Sequence, residues 1–118
     1  KKLILGNISS KRDWGYAGDY VEAMWKMLQQ KNPQDFVIGT GKIYSVKDFL
    51  KIAFDHVGLD YRKYIEFDKN LLRPKDNIIL QANYNKAKKL LNWKPKTSIK
   101  ELIHKMVDYD IDQIKKNS

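Results

Sequence analysis

Apolar residues recur along this chain with two different periods, and the longer period predicts four helices. In residues 19–30, Tyr20, Met24, Met27 and Leu28 fall on one face of a helix. Similar spacing appears in residues 44–58, 85–93 and 97–116. In the last segment the stripe comprises Leu102, Ile103, Met106, Val107, Ile111 and Ile114, interrupted by Asp110.

Capping residues predict where these helices begin and end. Ser45 with Asp48, and Ser98 with Glu101, have the spacing of a capping box. Asp19 is suited to the N-cap or the first turn of the first helix, where the helix dipole favours a negative charge. Gly58 and Pro95 are expected to stop the helices that precede them.

Short apolar runs predict strands between the helices. They are "KLILGN" at 2–7, "DFVIGTG" at 35–41 and, more weakly, "YIEF" at 64–67. No repeat is present, and no linker is long enough to separate two domains. The order of elements therefore indicates a mixed α/β fold.

Composition narrows the class of protein. The chain has 118 residues, 42% of them hydrophobic and 31% charged, as in an ordinary globular domain. It has no cysteine, which excludes disulfides and thiolate metal sites. No apolar run approaches the roughly 20 residues that span a bilayer, so we expect no membrane association.

The net charge of +9 favours an anionic partner: nucleic acid, an anionic membrane surface or a phosphorylated small molecule. A lysine-rich solvated surface would give the same charge. Aromatic residues do not interleave with basic residues on a strand platform, and no helix concentrates arginine, so nucleic acid is disfavoured.

Two short motifs resemble parts of dinucleotide-dependent enzymes. "GTGKIYS" follows a predicted strand and precedes a helix, but Tyr44 stands where a dinucleotide-binding turn has its third glycine. Tyr84 and Lys88 have the Tyr-x-x-x-Lys spacing in which a lysine lowers the pKa of a catalytic phenol. We interpret the first as an ordinary turn and the second as a coincidence on an exposed helix.

The histidines do not indicate a metal site. His56 and His104 each stand alone on a predicted helix, without metal-ligand spacing.

Arg12 and Arg73 are better candidates for a binding site. Both lie in predicted loops, and a guanidinium matches phosphate oxygens with its forked donors. Asp76 follows Arg73 closely and could accept hydrogen bonds from sugar hydroxyls. An ordinary salt bridge, for instance of Arg12 with Asp13 or Asp19, remains the alternative.

Several segments together resemble the C-terminal part of the GDP-mannose 4,6-dehydratase family, within the extended short-chain dehydrogenase/reductase superfamily. They are "LGNISSKRDWGYAGDYVEAMWKMLQQ", "DFVIGTG", "FDHVGLDYR", "RPKDN" and "LNWKPKTSIKELIHKMV". The similarity runs from Leu3 to about Asp110. It implies a C-terminal fragment comprising the edge of a Rossmann domain, about residues 14–45, and a small α+β substrate-binding domain, about residues 46–118.

The resemblance also implies roles for individual residues. Arg12 and Arg73 would contact the diphosphate of a GDP-sugar, and Asp76 would bind its ribose hydroxyls. Leu5, Gly6 and Asn7 would lie near the guanine. The family usually has glutamate where Asp76 stands, which leaves the exact sugar open.

The implied reaction is an internal redox elimination that converts GDP-mannose to GDP-4-keto-6-deoxymannose, a precursor of GDP-fucose. The family's glycine fingerprint, Thr/Ser-Glu pair and Tyr-x-x-x-Lys would lie upstream, so no catalytic and no NADP-binding residue is assigned to this chain. The resemblance implies a cytoplasmic homo-oligomer, dimer or tetramer, with NADP bound by the missing N-terminal part.

Three alternatives stay open at this point. The chain could belong to a dehydratase acting on a related sugar such as a GDP-heptose. It could be part of a nucleotide-sugar reductase or epimerase. It could also be a non-catalytic basic binding module.

Overall fold

A computed structural model describes residues 2–71 and 81–117 of the chain. These residues form two compact units. The first unit contains residues 2–12, 44–71 and 103–117, and the second contains residues 13–43 and 81–102. Each unit is therefore assembled from segments that are distant in sequence, which fits the absence of a linker.

The first unit holds two short two-stranded sheets. Strand β1 (Leu3–Leu5) pairs in parallel with β4 (Ile65–Phe67), so the predicted strands at 2–7 and 64–67 are confirmed. Strand β2 (Lys11–Arg12) pairs antiparallel with β3 (Tyr44–Ser45). The 3₁₀ helices Tyr61–Lys63 and Lys69–Leu71 flank β4 on either side.

Helix α2 (Val46–His56) begins and ends with the predicted residues. The Ser45 hydroxyl accepts a hydrogen bond from Asp48 N, and the Asp48 carboxylate accepts one from Ser45 N, which completes the capping box. Gly58 adopts φ +75°, a left-handed conformation that glycine enters without a Cβ clash. Leu59 N then donates to Phe54 O at 2.9 Å, as in a Schellman motif.

The second unit is built around helix α1 (Ala17–Leu28) and helix α3 (Asn85–Leu91). The buried residues Ala23, Ala87, Leu91 and Trp93 form its core, and Tyr20 and Met27 pack against them. Asn92, at φ 53°, ends α3 before Pro95 is reached. Trp93 is consequently turned into the core, where it is 1% exposed.

The prediction that the apolar residues of α1 share one face is wrong in one respect. Tyr20 and Met27 face the core, but Met24 and Leu28 are exposed together with Val21 and Trp25. The helix thus carries two apolar faces, of which only one is covered. We call the exposed set Val21, Met24, Trp25 and Leu28 the outer stripe of α1.

The predicted strand at 35–41 is not formed. Phe36 and Ile38 pack against the core while Val37 points outward, so the alternation of a strand is present. Among the described residues, however, no strand lies alongside to complete a hydrogen-bonded ladder. A strand assignment needs such a partner, and the apolar pattern could not reveal that it is lacking.

Helix α4 (Ile99–Lys116) is the longest helix in the described part of the chain. Its predicted capping box is confirmed, since Ser98 Oγ accepts from Glu101 N and Ser98 N donates to Glu101 Oε1. Leu102 and Ile103 are buried, whereas Met106 and Ile114 further along the predicted stripe are exposed. No helix in residues 2–71 or 81–117 has the length and apolarity needed to cross a membrane.

Candidate functional site

An open cleft of about 550 Å³ lies in the first unit, directly after β1. Gly6 and Asn7, two of the predicted site residues, line it, and Leu5 ends β1 immediately before them. The other residues that line the cleft are Ile8, Ser9, Lys47, Tyr61, Arg62, Ile65 and Phe67. The cleft therefore combines apolar side chains, two aromatic rings and two cations.

Backbone hydrogen bonds hold one side of this cleft against the start of α2. Lys47 N donates to Ile8 O at 2.8 Å, and Val46 N donates to Ser10 O at 3.0 Å. Asn7 Oδ1 accepts from Ser9 N at 2.9 Å, which closes an Asx turn. The loop from Gly6 to Ser10 is thereby fixed relative to the helix that carries Lys47.

Gly6 is required by a close approach of two backbone segments. A Cβ atom at Gly6 would lie 2.7 Å from the carbonyl oxygen of Leu71, closer than side chains tolerate. Any larger residue would displace either the cleft loop or the end of the 3₁₀ helix Lys69–Leu71.

The two cations of the cleft differ in their surroundings. Arg62 donates Nε to Asp60 Oδ1 and Nη2 to Asp60 Oδ2, both at 3.1 Å. This hydrogen-bonded pair raises the pKa of Arg62 and lowers the pKa of Asp60. By contrast, the Lys47 ammonium has no hydrogen-bond or ion-pair partner in the described part of the chain.

Arg12 lies in β2, opposite Tyr44 of β3, with its side chain exposed. Its Nη1 donates to the carbonyl of Lys11 at 2.8 Å. Arg73 and Asp76, the other predicted ligand contacts, lie outside the described residues. The structure thus places Gly6 and Asn7 in the lining of the cleft, with Leu5 immediately before them, and Arg12 in the other two-stranded sheet of the same unit.

Asp13 has a structural task that sequence reasoning missed. In the second unit its carboxylate accepts hydrogen bonds from Thr40 N at 3.1 Å, from Gly41 N at 3.0 Å and from the Thr40 hydroxyl. The Thr40 and Gly41 amides of the "GTG" segment are therefore occupied by a carboxylate of the protein. This supports the interpretation of that segment as a turn and not as a dinucleotide site.

Tyr84 is also explained by packing. It is half-buried and meets Trp93 edge to face at 5.9 Å between ring centroids. Lys88, by contrast, is exposed on α3. This arrangement favours the interpretation of Tyr84-x-x-x-Lys88 as a coincidence.

The two histidines are neighbours in the first unit. Their rings stack with centroids 3.9 Å apart, and His56 Nε2 lies 2.7 Å from Asp108 Oδ1. The sequence could not show this pairing because it joins α2 to α4. Within the described residues no group of three or more His, Cys, Asp or Glu could hold a metal ion.

Solved structures identify the class of protein. A UDP-glucose 4-epimerase from Thermotoga maritima, solved with UDP-glucose, matches 97% of the chain with a TM-score of 0.81 and 26% identity. A dTDP-glucose 4,6-dehydratase from Bacillus anthracis, solved with NAD, matches 95% with a TM-score of 0.81 and 21% identity. These matches cover 36% and 35% of the respective solved chains. The fold is that of a fragment of an extended short-chain dehydrogenase/reductase.

Sequence comparison identifies the family. The family model for GDP-mannose 4,6 dehydratase matches residues 1–106. GDP-mannose 4,6 dehydratase 1 of Arabidopsis thaliana is 48% identical over 115 residues, covering 98% of this chain and 32% of the relative. The chain belongs to the GDP-mannose 4,6 dehydratase family, and it spans about a third of the length of this curated relative.

Proposed function

We propose that this chain is the substrate-side, C-terminal part of an NADP-dependent GDP-mannose 4,6-dehydratase. The full-length protein that contains it is called the parent protein below. The parent is a cytoplasmic homo-oligomeric lyase that converts GDP-mannose to GDP-4-keto-6-deoxymannose, and this chain contributes contacts to the GDP-sugar. The family match over residues 1–106 carries the proposal.

Two further observations support placing the cofactor and the catalytic residues in another part of the parent. The chain spans 32% of the Arabidopsis relative, and its sequence contains no Gly-x-x-Gly-x-x-Gly fingerprint. A solved neighbour of the same fold contains NAD. We therefore assign NADP, and the residues that exchange hydride and protons with the sugar, to the part of the parent outside this chain.

Within the chain, residues 14–45 would complete the edge of the Rossmann sheet and residues 46–118 would form most of the substrate domain. An added neighbouring strand would pair with residues 35–41, whose alternating burial already suits a strand.

The base-binding end of the site is proposed at the cleft after β1. Leu5, Gly6 and Asn7 are the residues assigned to the guanine, and the last two line the cleft. Arg12 is exposed on β2 and can direct its guanidinium to a diphosphate. Arg73 and Asp76 keep their proposed contacts with the diphosphate and the ribose.

One alternative has a specific observation in its favour. The epimerase from Thermotoga maritima matches the chain at 26% identity, so the parent could be a nucleotide-sugar epimerase. The products of the complete protein distinguish three possibilities: an epimerase, a dehydratase of GDP-mannose and a dehydratase of a GDP-heptose.

The test is to express the complete open reading frame and incubate it with NADP and GDP-mannose. We expect GDP-4-keto-6-deoxymannose, identified by mass as the product that has lost one water. An unchanged mass with altered sugar stereochemistry would identify an epimerase. Turnover of a GDP-heptose alone would identify the related dehydratase.

Arg12→Ala tests the assigned diphosphate contact in the same protein. Charge-assisted hydrogen bonds contribute about 1.5–3 kcal/mol, so its dissociation constant for GDP-mannose should rise roughly 10- to 150-fold. Lys11→Ala, which removes the exposed neighbouring cation on β2, is the control and should change affinity little. Equal effects of the two variants would remove Arg12 from the site.

A further inference from the structure

The cleft after β1 contains a cation that the family-derived assignments do not use. Lys47 is the second residue of α2, and its backbone N–H is bound to Ile8 O, which fixes its Cα beside the loop of Gly6 and Asn7. Its side chain is exposed and lines the cleft. Because Arg62 is already paired with Asp60, Lys47 is the uncompensated cation among the described residues of this cleft.

The remaining lining favours a flat heterocycle over a phosphate group. Ile8, Ile65 and Phe67 form apolar surface, and Tyr61 adds an aromatic ring. A base can lie against such a surface through its π face, whereas a dianionic phosphate would lose hydration there without gaining donors. A single ammonium at the edge of an apolar wall is therefore placed to recognise the polar edge of a base.

Guanine presents the edge that an ammonium recognises best. Its O6 and N7 are adjacent acceptors, and lysine or arginine contacts to this pair are the commonest specific contacts to guanine. Adenine carries an amino group in place of O6, so the same ammonium would face another hydrogen-bond donor. A cation at this position thus discriminates between the two purines.

We propose that Lys47 is a specificity-determining residue that donates hydrogen bonds to O6 and N7 of the guanine held in this cleft. The inference rests on the proposed function, since it needs a GDP-sugar as ligand. It adds to that function the side chain that selects the base.

The experiment measures dissociation constants of the parent protein for GDP, IDP, ADP and inorganic pyrophosphate by calorimetry. IDP keeps O6 and N7 and lacks only the 2-amino group, so it isolates the proposed contact. The variants are Lys47→Met, which keeps the apolar length, and Lys47→Arg, which keeps the donors. The matched control is Lys51→Met, a lysine one turn further along α2 that does not line the cleft after β1. It lines an adjacent cleft that shares Lys47, Tyr61 and Arg62 with it.

We expect Lys47→Met to weaken GDP and IDP about 5- to 150-fold, the equivalent of about 1–3 kcal/mol. Affinity for ADP and pyrophosphate should not change, Lys47→Arg should retain most of the GDP affinity, and Lys51→Met should match the wild type. Three results would overturn the inference: unchanged GDP affinity in Lys47→Met, an equal loss for pyrophosphate, or an equal loss in Lys51→Met.

The wild type separates this inference from the proposed function. If it binds GDP no better than ADP, the proposed GDP-sugar function fails and the inference fails with it. If it prefers GDP and Lys47→Met keeps that preference, only the role of Lys47 is rejected. Because Lys47 is exposed, thermal unfolding of the variants should match the wild type, which establishes that the comparison is between folded proteins.

Discussion

Deprotonation of Tyr20 is unfavourable in the folded state. Burial, followed by the negative charges of Asp13 and Asp19, raises the pKa of its phenol above the ordinary value of 10.0. A phenolate would also sit beside Trp93, whose ring centroid is 6.4 Å away. The neutral form is thus the one that belongs to the folded state.

The consequence is a loss of stability at alkaline pH. The pKa of Tyr20 is higher in the folded state than in the unfolded state, so the folded state binds this proton more tightly. The stability that the proton contributes is therefore fully present at pH values below the unfolded pKa. It is lost as pH rises through the folded pKa. Urea unfolding of the parent from about pH 8 to 11 should therefore show a shallower decline for Tyr20→Phe than for the wild type.

Tyr109→Phe is the control, because Tyr109 is 64% exposed on α4. It should reproduce the wild-type pH dependence. Parallel curves for the wild type and Tyr20→Phe would show that the phenol does not contribute to alkaline unfolding.

At the same scale, the sequence offered candidate residues without their spatial neighbours. Gly6 and Asn7 line a cleft, and their assignment to a base stays a prediction. Asp19 lies in the first turn of α1, as predicted. Its partners Lys96 and Thr97, and the partner of Asp13, Thr40, were missed because they are remote in sequence. The sequence does show that Asp13 and Asp19 stand next to loop-forming residues. That position does not indicate which residues they bind.

Secondary-structure elements were predictable where their determinants are local. Both capping boxes and the glycine stop after α2 depend on residues within one turn, and all three are confirmed. The strand at 35–41 depends on a neighbouring strand, and the face of α1 depends on what covers it. Those two predictions failed because tertiary context, which the pattern does not contain, decides them.

Asp19 connects two elements of the second unit. It lies in the first turn of α1 and is 6% exposed. Its carboxylate accepts from Lys96 N at 3.1 Å and Thr97 N at 3.0 Å, and its carbonyl accepts from Trp93 Nε1 at 2.9 Å. The segment that leads into α4 is thereby held to the start of α1.

Asp19→Ala should therefore destabilise the parent protein more than an ordinary surface substitution on α1. Removing the carboxylate leaves two partly buried amides without an acceptor, which costs about 1–3 kcal/mol. Glu22→Gln is the control on the same helix, since Glu22 interacts with the side chains of Lys26 and Lys96 near solvent. Chemical denaturation should rank Asp19→Ala well below Glu22→Gln, and equal midpoints would show that the two amides find other partners.

At the scale of the whole molecule, the outer stripe of α1 indicates a missing neighbour. Val21, Met24, Trp25 and Leu28 are 61%, 59%, 61% and 81% exposed, and they recur at helical intervals. Val37 is likewise 55% exposed, whereas Trp14 is half-buried. A helix that is apolar on two faces is typical of a layer covered on both sides. The chain spans a third of its Arabidopsis relative, which leaves ample sequence to provide that cover.

The chain expressed alone should therefore self-associate through this stripe. Exposed apolar side chains in one patch favour association until a partner buries them. Sedimentation velocity should show concentration-dependent oligomers, and Trp25→Lys should shift them towards monomer. Ile114→Lys, at an exposed apolar position of α4 outside the stripe, should not. In the parent protein we expect the same substitution to destabilise the fold. Trp25→Lys should lower the unfolding temperature because the stripe is covered there, whereas Ile114→Lys should change it less. A monomeric chain with a sharp melting transition would instead mean that the stripe tolerates water, and that the rest of the parent does not pack on α1.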